Sequence, residues 1–182
     1  ISDCLVGSEM CIRDSPMLQR IDSNSRITQG LVIAPTRELC LQISKELEKY
    51  AAHKKGLHVV PIYGGASITD QAKAVKKGAQ VLVATPGRMQ DMMRRKMLDI
   101  SAISYCVLDE ADEMLNMGFK EDITNILAHT PNDKLTWLFS ATMPREVASI
   151  AKEFMYEPVE ITVGTKNAAS NNIQHEYYVV AG

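Results

Sequence analysis

The sequence of 182 residues has few aromatic residues, no excess of positive charge and no long apolar run. Phe, Trp and Tyr make up 5% of the chain, and 20 Lys and Arg against 22 Asp and Glu give a net charge of −2. A protein with this charge does not attract nucleic acid by bulk positive potential, so a polyanion has to be held by local groups such as helix N-termini. No apolar stretch approaches the roughly 18 residues that a membrane-spanning helix requires, so no membrane partner is expected.

The cysteines do not have the spacing of a disulfide framework or of a metal site. Cys4, Cys11, Cys40 and Cys106 form no CxxC pair and no cluster with histidine. Cys40 and Cys106 stand among apolar residues, which predicts that they are small core residues. This usage indicates a reduced, cytoplasmic compartment.

Short β-rich segments recur along the chain with room for a helix between each pair. They cover residues 31–34, 57–63, 81–84, 105–108, 135–139 and 159–163. Apolar strands that alternate with helices are typical of a parallel sheet with helices on both faces. The right-handed crossover rule then favours a doubly wound α/β fold, in a chain that has the length of one domain.

Small, polar or charged residues follow five of these predicted strands. In chain order they are Pro35-Thr36-Arg37-Glu38, Gly64-Gly65, Thr85-Pro86-Gly87-Arg88, Asp109-Glu110 with Asp112 and Glu113, and Ser140-Ala141-Thr142. Open α/β sheets bind their ligands at the carboxyl ends of the strands. The sequence therefore predicts a functional edge on the sheet.

The segment YCVLDEADEMLN, residues 105–116, carries four carboxylates directly after a strand. In a nucleotide hydrolase, Asp109 would hold Mg²⁺ and Glu110 would activate the attacking water. Asp112 lies one step further and is expected to have separate partners, for which Ser140 and Thr142 are the candidates. The alternative is structural, because acids in a first turn complement the helix dipole and Ser-Ala-Thr can cap the helix that follows.

Three of the segments have the chemistry of a phosphate track. Thr36 and Thr85 each open a helix, whose N-terminal N–H groups favour phosphate, and Arg37 and Arg88 add charged forks. Gly64-Gly65 permits close approach of a ligand backbone. Together the segments predict a track for a sugar–phosphate backbone that does not read base sequence. Ordinary turn chemistry is the simpler explanation of each segment taken alone.

The segments PTREL, GG, TPGR, DEAD and SAT, in this order and spacing, resemble the DEAD-box RNA helicases, bacterial members in particular. The resemblance runs from about Pro16 to the end of the chain. It implies a RecA-like first domain, ATP and Mg²⁺ as cofactors, and local separation of short RNA duplexes.

The resemblance also implies a role for each matching residue. Asp109 would hold Mg²⁺, Glu110 would activate water, and Asp112 with Ser140 and Thr142 would couple the nucleotide state to unwinding. Single-stranded or short duplex RNA would be contacted through its backbone by Pro35, Thr36, Arg37, Gly64, Gly65, Thr85, Pro86, Gly87 and Arg88.

The sequence departs from the family pattern at both ends. No G-x-x-x-x-G-K-[ST] phosphate loop occurs in it, and residues 1–15, ISDCLVGSEMCIRDS, do not match the family. We expect residues 1–15 to be non-native, and residues 16–165 to be an N-terminally incomplete RecA-like domain. Its missing first strand is expected beside the acid-bearing one. Residues 166–182 are expected to be a linker and the first strand of a second domain that is missing here.

Two functions follow from this interpretation. The first is an ATP-dependent RNA helicase of which this chain is a fragment, inactive as an ATPase by itself. The alternative is an RNA-binding or scaffold module without ATPase activity.

Overall fold

A computed structural model describes residues 16–52 and 54–162. Its centre is a sheet of five strands in the order β2-β3-β1-β4-β5, and every neighbouring pair is parallel. The strands are β1 (Gly30–Ile33), β2 (Val59–Ile62), β3 (Val81–Ala84), β4 (Tyr105–Leu108) and β5 (Leu135–Leu138). Because all strands run the same way, their carboxyl ends meet at one edge of the sheet, as predicted.

Helices follow the strands and cover both faces of the sheet. They are α1 (Arg37–Ala51), α2 (Ile68–Lys76), α3 (Pro86–Arg94), α4 (Ala111–Asn116), α5 (Lys120–Ala128) and α6 (Arg145–Phe154). Residues 16–20 are also helical. The predicted α/β architecture with helices on both faces is confirmed, and no helix in the described part of the chain is long and apolar enough to cross a membrane.

Side chains that alternate along the strands divide the core into two layers. Val32 packs with Ile43 and Leu47 of α1 and with the helical segment at residues 16–20. Leu31 and Ile33 point to the other face, into the layer that contains the buried residues of α2 to α6. Every residue of β1 and β3 is buried, since both strands lie inside the sheet and are covered on both faces.

The two cysteines predicted to be core residues lie one in each layer. Cys40 is in the α1 layer and Cys106 is in the other, and both side chains are fully buried. The Cys40 thiol lies 3.1 Å from the Val83 carbonyl oxygen, which can accept its hydrogen. Each thiol fills space in the core.

The predicted strand at residues 159–163 is wrong over residues 159–162, and Val163 lies outside the described residues. Val159 and Ile161 are 84% and 85% exposed. β-branched residues favour a strand only where a neighbouring strand pairs with the backbone and an apolar face receives the side chains. In the described part of the chain neither condition is met at this segment.

The expectation of a further strand beside the acid-bearing strand is also wrong. β4 carries the acids, and it pairs with β1 on one side and with β5 on the other. The open edges of the described sheet belong to β2 and β5. All four residues of β5 are half-buried or exposed.

The two core thiols should be unreactive in the folded chain. Burial raises the pKa of the Cys40 and Cys106 thiols to about 12, and the thiolate is the form that reacts. In a chain carrying Cys4→Ser and Cys11→Ser, we expect Ellman's reagent at about pH 8 to label neither thiol until denaturant unfolds the protein. The same variant in denaturant is the positive control, and labelling of the native chain at the denatured rate would contradict this core.

Candidate functional site

Backbone hydrogen bonds carry the sheet ladder one residue past the strands and align the polar segments that follow. The Ala34 N–H donates to the Ala84 carbonyl (2.9 Å), and the Asp109 N–H donates to the Ile33 carbonyl (2.9 Å). The Phe139 N–H donates to the Leu108 carbonyl at 2.8 Å. The polar segments therefore leave the sheet at nearly the same level.

An open groove of about 360 Å³ runs over the ends of β1, β2 and β3. All residues predicted to contact RNA line it except Gly65 and Pro86. Pro86 is buried in the first turn of α3. The lining consists of Pro35, Thr36, Arg37, Glu38, Gly64, Thr85, Gly87, Arg88, Met117 and Phe119.

Two helices begin at the groove, and their caps differ. The Thr36 hydroxyl accepts a hydrogen bond from the Leu39 N–H (3.2 Å) and so caps α1. Thr85 occupies the equivalent position before α3 but makes no capping bond with its side chain. Both N-termini place partial positive charge at the groove, where an anion is favoured.

Both groove arginines are held by the loop that follows β2. The Arg37 guanidinium carbon lies 4.9 Å from the centroid of the Tyr63 ring, within the range of a cation–π contact. Arg88 Nη1 donates to the Ala66 carbonyl (2.9 Å) and to Gln71 Oε1 (3.3 Å). Gln71 Nε2 in turn donates to the Tyr63 carbonyl (3.0 Å). Tyr63 and Gln71 were not predicted as site residues.

Met117 and Phe119 form a groove wall that was also not predicted. They flank Gly118, whose φ of +84° turns the chain between α4 and α5. Met117 is 47% exposed, and the edge of the Phe119 ring lies against Gly87. The sequence signal for this wall is an apolar residue on each side of a glycine just after the acid-bearing helix.

The carboxylates lie at the end of β4. Asp109 is half-buried, and Glu110 is exposed at the start of α4 with left-handed backbone angles of φ 51° and ψ 53°. Such a conformation in a residue with a side chain costs on the order of 1 kcal/mol. Burial first, and then the negative charges of Asp109, Glu113 and Asp112, raise the pKa of Glu110. A carboxylate with raised proton affinity is suited to general-base chemistry.

The acids do not converge on a protein-made metal cage. Within residues 16–52 and 54–162, no group of three or more His, Cys, Asp and Glu side chains is arranged to hold a metal ion. Mg²⁺ commonly takes one or two carboxylates and completes its shell with water and substrate phosphate. The Asp109 and Glu110 carboxylates fit that mode of binding.

Asp112 joins the end of β4 to the end of β5. Its Oδ2 accepts hydrogen bonds from the Thr142 N–H (2.9 Å) and the Thr142 hydroxyl (2.7 Å). The Asp112 N–H donates to Ser140 Oγ (3.2 Å), which itself donates to the Thr142 carbonyl (2.6 Å). Burial acts to raise the pKa of Asp112, but the hydrogen bonds from Thr142 and Ser140 outweigh burial and lower it.

The structure thus brings Asp112, Ser140 and Thr142 into direct contact.

A separate cavity of about 390 Å³ lies among the C-terminal ends of α2 and α3 and contains none of the predicted site residues. The groove and the neighbouring carboxylates, by contrast, lie at the carboxyl ends of the strands, where the sequence predicts the functional edge.

Comparisons with known proteins identify the family and the fold of the chain. The family model described as DEAD/DEAH box helicase matches residues 14–150. The chain is 46% identical over 166 residues to the ATP-dependent RNA helicase DeaD of Mycobacterium tuberculosis, covering 91% of this chain and 30% of that protein. It is 48% identical over 165 residues to the DEAD-box ATP-dependent RNA helicase CshA of Bacillus cereus, covering 91% of this chain and 31% of that protein.

A solved structure has the same fold. A DEAD box protein from the hyperthermophile Methanococcus jannaschii superposes with a TM-score of 0.78 at 40% identity, over 82% of this chain and 40% of that one. The chain spans about a third of the length of the curated relatives it matches. From the family model, the relatives and the shared fold, the chain belongs to the DEAD/DEAH box helicase family.

Proposed function

We propose that this chain is part of an ATP-dependent RNA helicase. In this proposal the groove binds the RNA backbone, and the carboxylates at the end of β4 act on ATP. One observation carries the proposal: a groove with anion-binding groups and a cluster of carboxylates lie at the same edge of one sheet. The names of the relatives, all ATP-dependent RNA helicases, support it.

The proposed partner is single-stranded or short duplex RNA held by its phosphates. The N-termini of α1 and α3 and the two guanidinium groups are suited to phosphate oxygens. None of these groups recognises one base over another, so the expected binding is independent of sequence. Met117 and Phe119 add an apolar wall against which a ribose or a base can pack.

The proposed cofactors are ATP and Mg²⁺. Asp109 would hold the ion through water, and Glu110 would take the proton from the water that attacks the γ-phosphate. Bound Mg²⁺-ATP supplies the phosphoryl group and the neutralisation of its charge. The raised pKa of Glu110 increases its strength as a base. Asp112, with Ser140 and Thr142, would couple the nucleotide state to the groove.

The division of the chain is also part of the proposal. The RecA-like domain is assigned to residues 16–165, in which no phosphate-loop motif occurs, and residues 166–182 would be a linker and the first strand of a second domain. Residues 1–15 would be non-native in this proposal, although the match to the family model begins at residue 14. Both terminal segments lie outside the described residues. A cytoplasmic location accords with the two buried free thiols.

A second candidate function is RNA binding without ATP hydrolysis. It is favoured by the fact that no phosphate-loop motif occurs in the 182 residues. We expect the chain by itself to bind RNA and to hydrolyse no ATP. RNA-stimulated release of phosphate by this chain would contradict the expectation and show that it holds the triphosphate by other residues.

The two groove arginines should carry much of the RNA affinity. We expect Arg37→Ala with Arg88→Ala to weaken binding of a fluorescein-labelled oligouridylate by about tenfold or more, measured by anisotropy at low salt. The plot of log K against log salt should become shallower by about 1.4, because each neutralised phosphate of a single strand contributes about 0.7. Arg20→Ala is the matched control, since Arg20 is exposed on the helical segment at residues 16–20, away from the groove. Unchanged binding by the double variant would count against the groove as the RNA site.

Glu110 should be required for hydrolysis but not for RNA binding. In the complete protein that contains this chain, we expect Glu110→Gln to lower kcat for ATP by about 10²–10⁴-fold and to leave RNA affinity unchanged. Glu113→Gln should lower kcat far less, because it removes only one of the charges that raise the pKa of Glu110 and leaves the base in place. Glu110 must be deprotonated to act, and its pKa is raised. As pH is lowered, kcat of the unchanged protein should therefore begin to fall at a higher pH than it would with a base of ordinary pKa. Equal losses in the two variants would remove the general-base role.

The Asp112 contact should make stability depend on pH. Because the folded state lowers the pKa of Asp112, its stabilisation is present above the unfolded pKa of about 3.9 and is lost as pH falls through the lower, folded pKa. We expect Asp112→Asn to reduce the free energy of unfolding by about 1 kcal/mol at neutral pH, as measured by urea unfolding. The difference in the free energy of unfolding between the variant and the unchanged chain should become smaller below about pH 4. A difference in the free energy of unfolding that is constant with pH would show that the charge of Asp112 is not involved. Glu113→Gln, which also removes one negative charge, is the control.

A further inference from the structure

The loop between β2 and α2, together with Gln71 in the first turn of α2, contacts both arginines of the groove through uncharged groups. The Tyr63 ring lies under the Arg37 guanidinium at 4.9 Å. The Ala66 carbonyl and the Gln71 side chain accept hydrogen bonds from Arg88 Nη1. Gln71 also donates to the Tyr63 carbonyl, so the supports of the two arginines are tied to each other.

The two glycines of this loop lie next to different parts of the structure. A Cβ on Gly64 would have no atom within 4 Å, and Gly64 lines the groove. A Cβ on Gly65 would lie 3.3 Å from Arg37 Nη1, and Gly65 does not line the groove. Its φ of +79° is also one that residues with side chains rarely adopt. The space at Gly65, expected from the sequence to admit a ligand, is therefore next to a guanidinium.

Each arginine keeps donors for a ligand after these contacts. A guanidinium has five N–H donors, and stacking on a ring uses its face and not its edge. In the described part of the chain, the hydrogen bonds of Arg88 to Ala66 and Gln71 use Nη1, which leaves its second amino group for an anion. An arginine fixed in this way loses less side-chain freedom when it binds phosphate.

We propose that Tyr63, Gly65 and Gln71 are positioning residues for RNA binding. Tyr63 holds Arg37, Gly65 leaves the space that the Arg37 guanidinium occupies, and Gln71 holds Arg88. Both guanidinium groups would then be oriented towards the groove before RNA binds. The proposal rests on the proposed function, because it assigns a task to these residues within the same RNA site. Gln71 is suited to this task since its side chain is buried, at 8% relative exposure, with both ends hydrogen-bonded.

Positioning differs from simple structural support in how mutations combine. A residue that acts only through Arg37 has no effect on RNA affinity once Arg37 is removed, whereas a residue that supports the fold lowers affinity in either background. Tyr63 offers a conservative variant, since phenylalanine keeps the ring and leucine does not.

The first test is a double-mutant cycle on RNA affinity. We expect Tyr63→Leu to weaken oligouridylate binding by about threefold to fivefold, as for an exposed cation–π contact, and Tyr63→Phe to restore it. In the Arg37→Ala chain, Tyr63→Leu should cause no further loss, and Gln71→Leu should likewise cause none in the Arg88→Ala chain. Equal losses in both backgrounds, or no loss from Tyr63→Leu in the unchanged chain, would overturn the proposal.

The second test requires no RNA. In ¹H–¹⁵N spectra of the free chain, the Arg37 Nε–Hε resonance should be displaced by the Tyr63 ring, shift in Tyr63→Leu and stay in place in Tyr63→Phe. The Arg20 resonance is the control and should be unaffected in both variants. An Arg37 resonance that Tyr63→Leu leaves unmoved would overturn the positioning role.

Together the two tests separate the proposals. If RNA binding depends on Arg37 and Arg88 while the Arg37 resonance ignores Tyr63, the proposed function holds and the positioning role fails. If the unchanged chain does not bind RNA, the proposed RNA site fails and the positioning role falls with it.

Discussion

The whole site depends on the double pairing of β1. This strand is hydrogen-bonded on both sides, and Ile33 is aligned with Ala84 of β3 and with Leu108 of β4. The segments after these strands therefore leave the sheet side by side, although they are far apart in sequence. Gly30 allows close packing at the other end of β1, because a Cβ there would lie 2.9 Å from Ile21 Cδ1 and the Ile21 side chain would have to shift.

The order of strands in space also sorts the charges of the site. The chain forms β1 to β5 in sequence, but the sheet runs β2-β3-β1-β4-β5. As a result the glycine, threonine and arginine segments lie together at one half of the edge, and the acids and Ser140-Ala141-Thr142 lie at the other half. A chain with a net charge of −2 can thus present a local surface for a polyanion.

The sequence predicted most of the fold, since the buried strands are short apolar runs and the segments after them are polar. It did not predict where strand formation depends on a neighbouring strand. Residues 159–162 have strand-forming composition but no partner strand among the described residues. In the site, motif residues were identified one by one, whereas their supports were not. Gln71 and Phe119 are ordinary residues in sequence. Only the packing of α2 brings Gln71 to Arg88, and only the turn before α5 brings Phe119 to the groove. The orientation of Gly65 towards Arg37 is likewise a property of the folded chain alone.

The manner in which Arg37 and Arg88 are held has a consequence for ligand exchange. Their supports are a ring, a carbonyl and an amide, and within the described residues neither arginine forms an ion pair with a carboxylate. In the proposed RNA site, an incoming phosphate would therefore have no ion pair between described residues to break at either arginine. If the groove binds RNA as proposed, the competitors for these charges would be the small ions of the solvent. Capture and release would then depend on ionic strength and would require no rearrangement of salt bridges among the described residues.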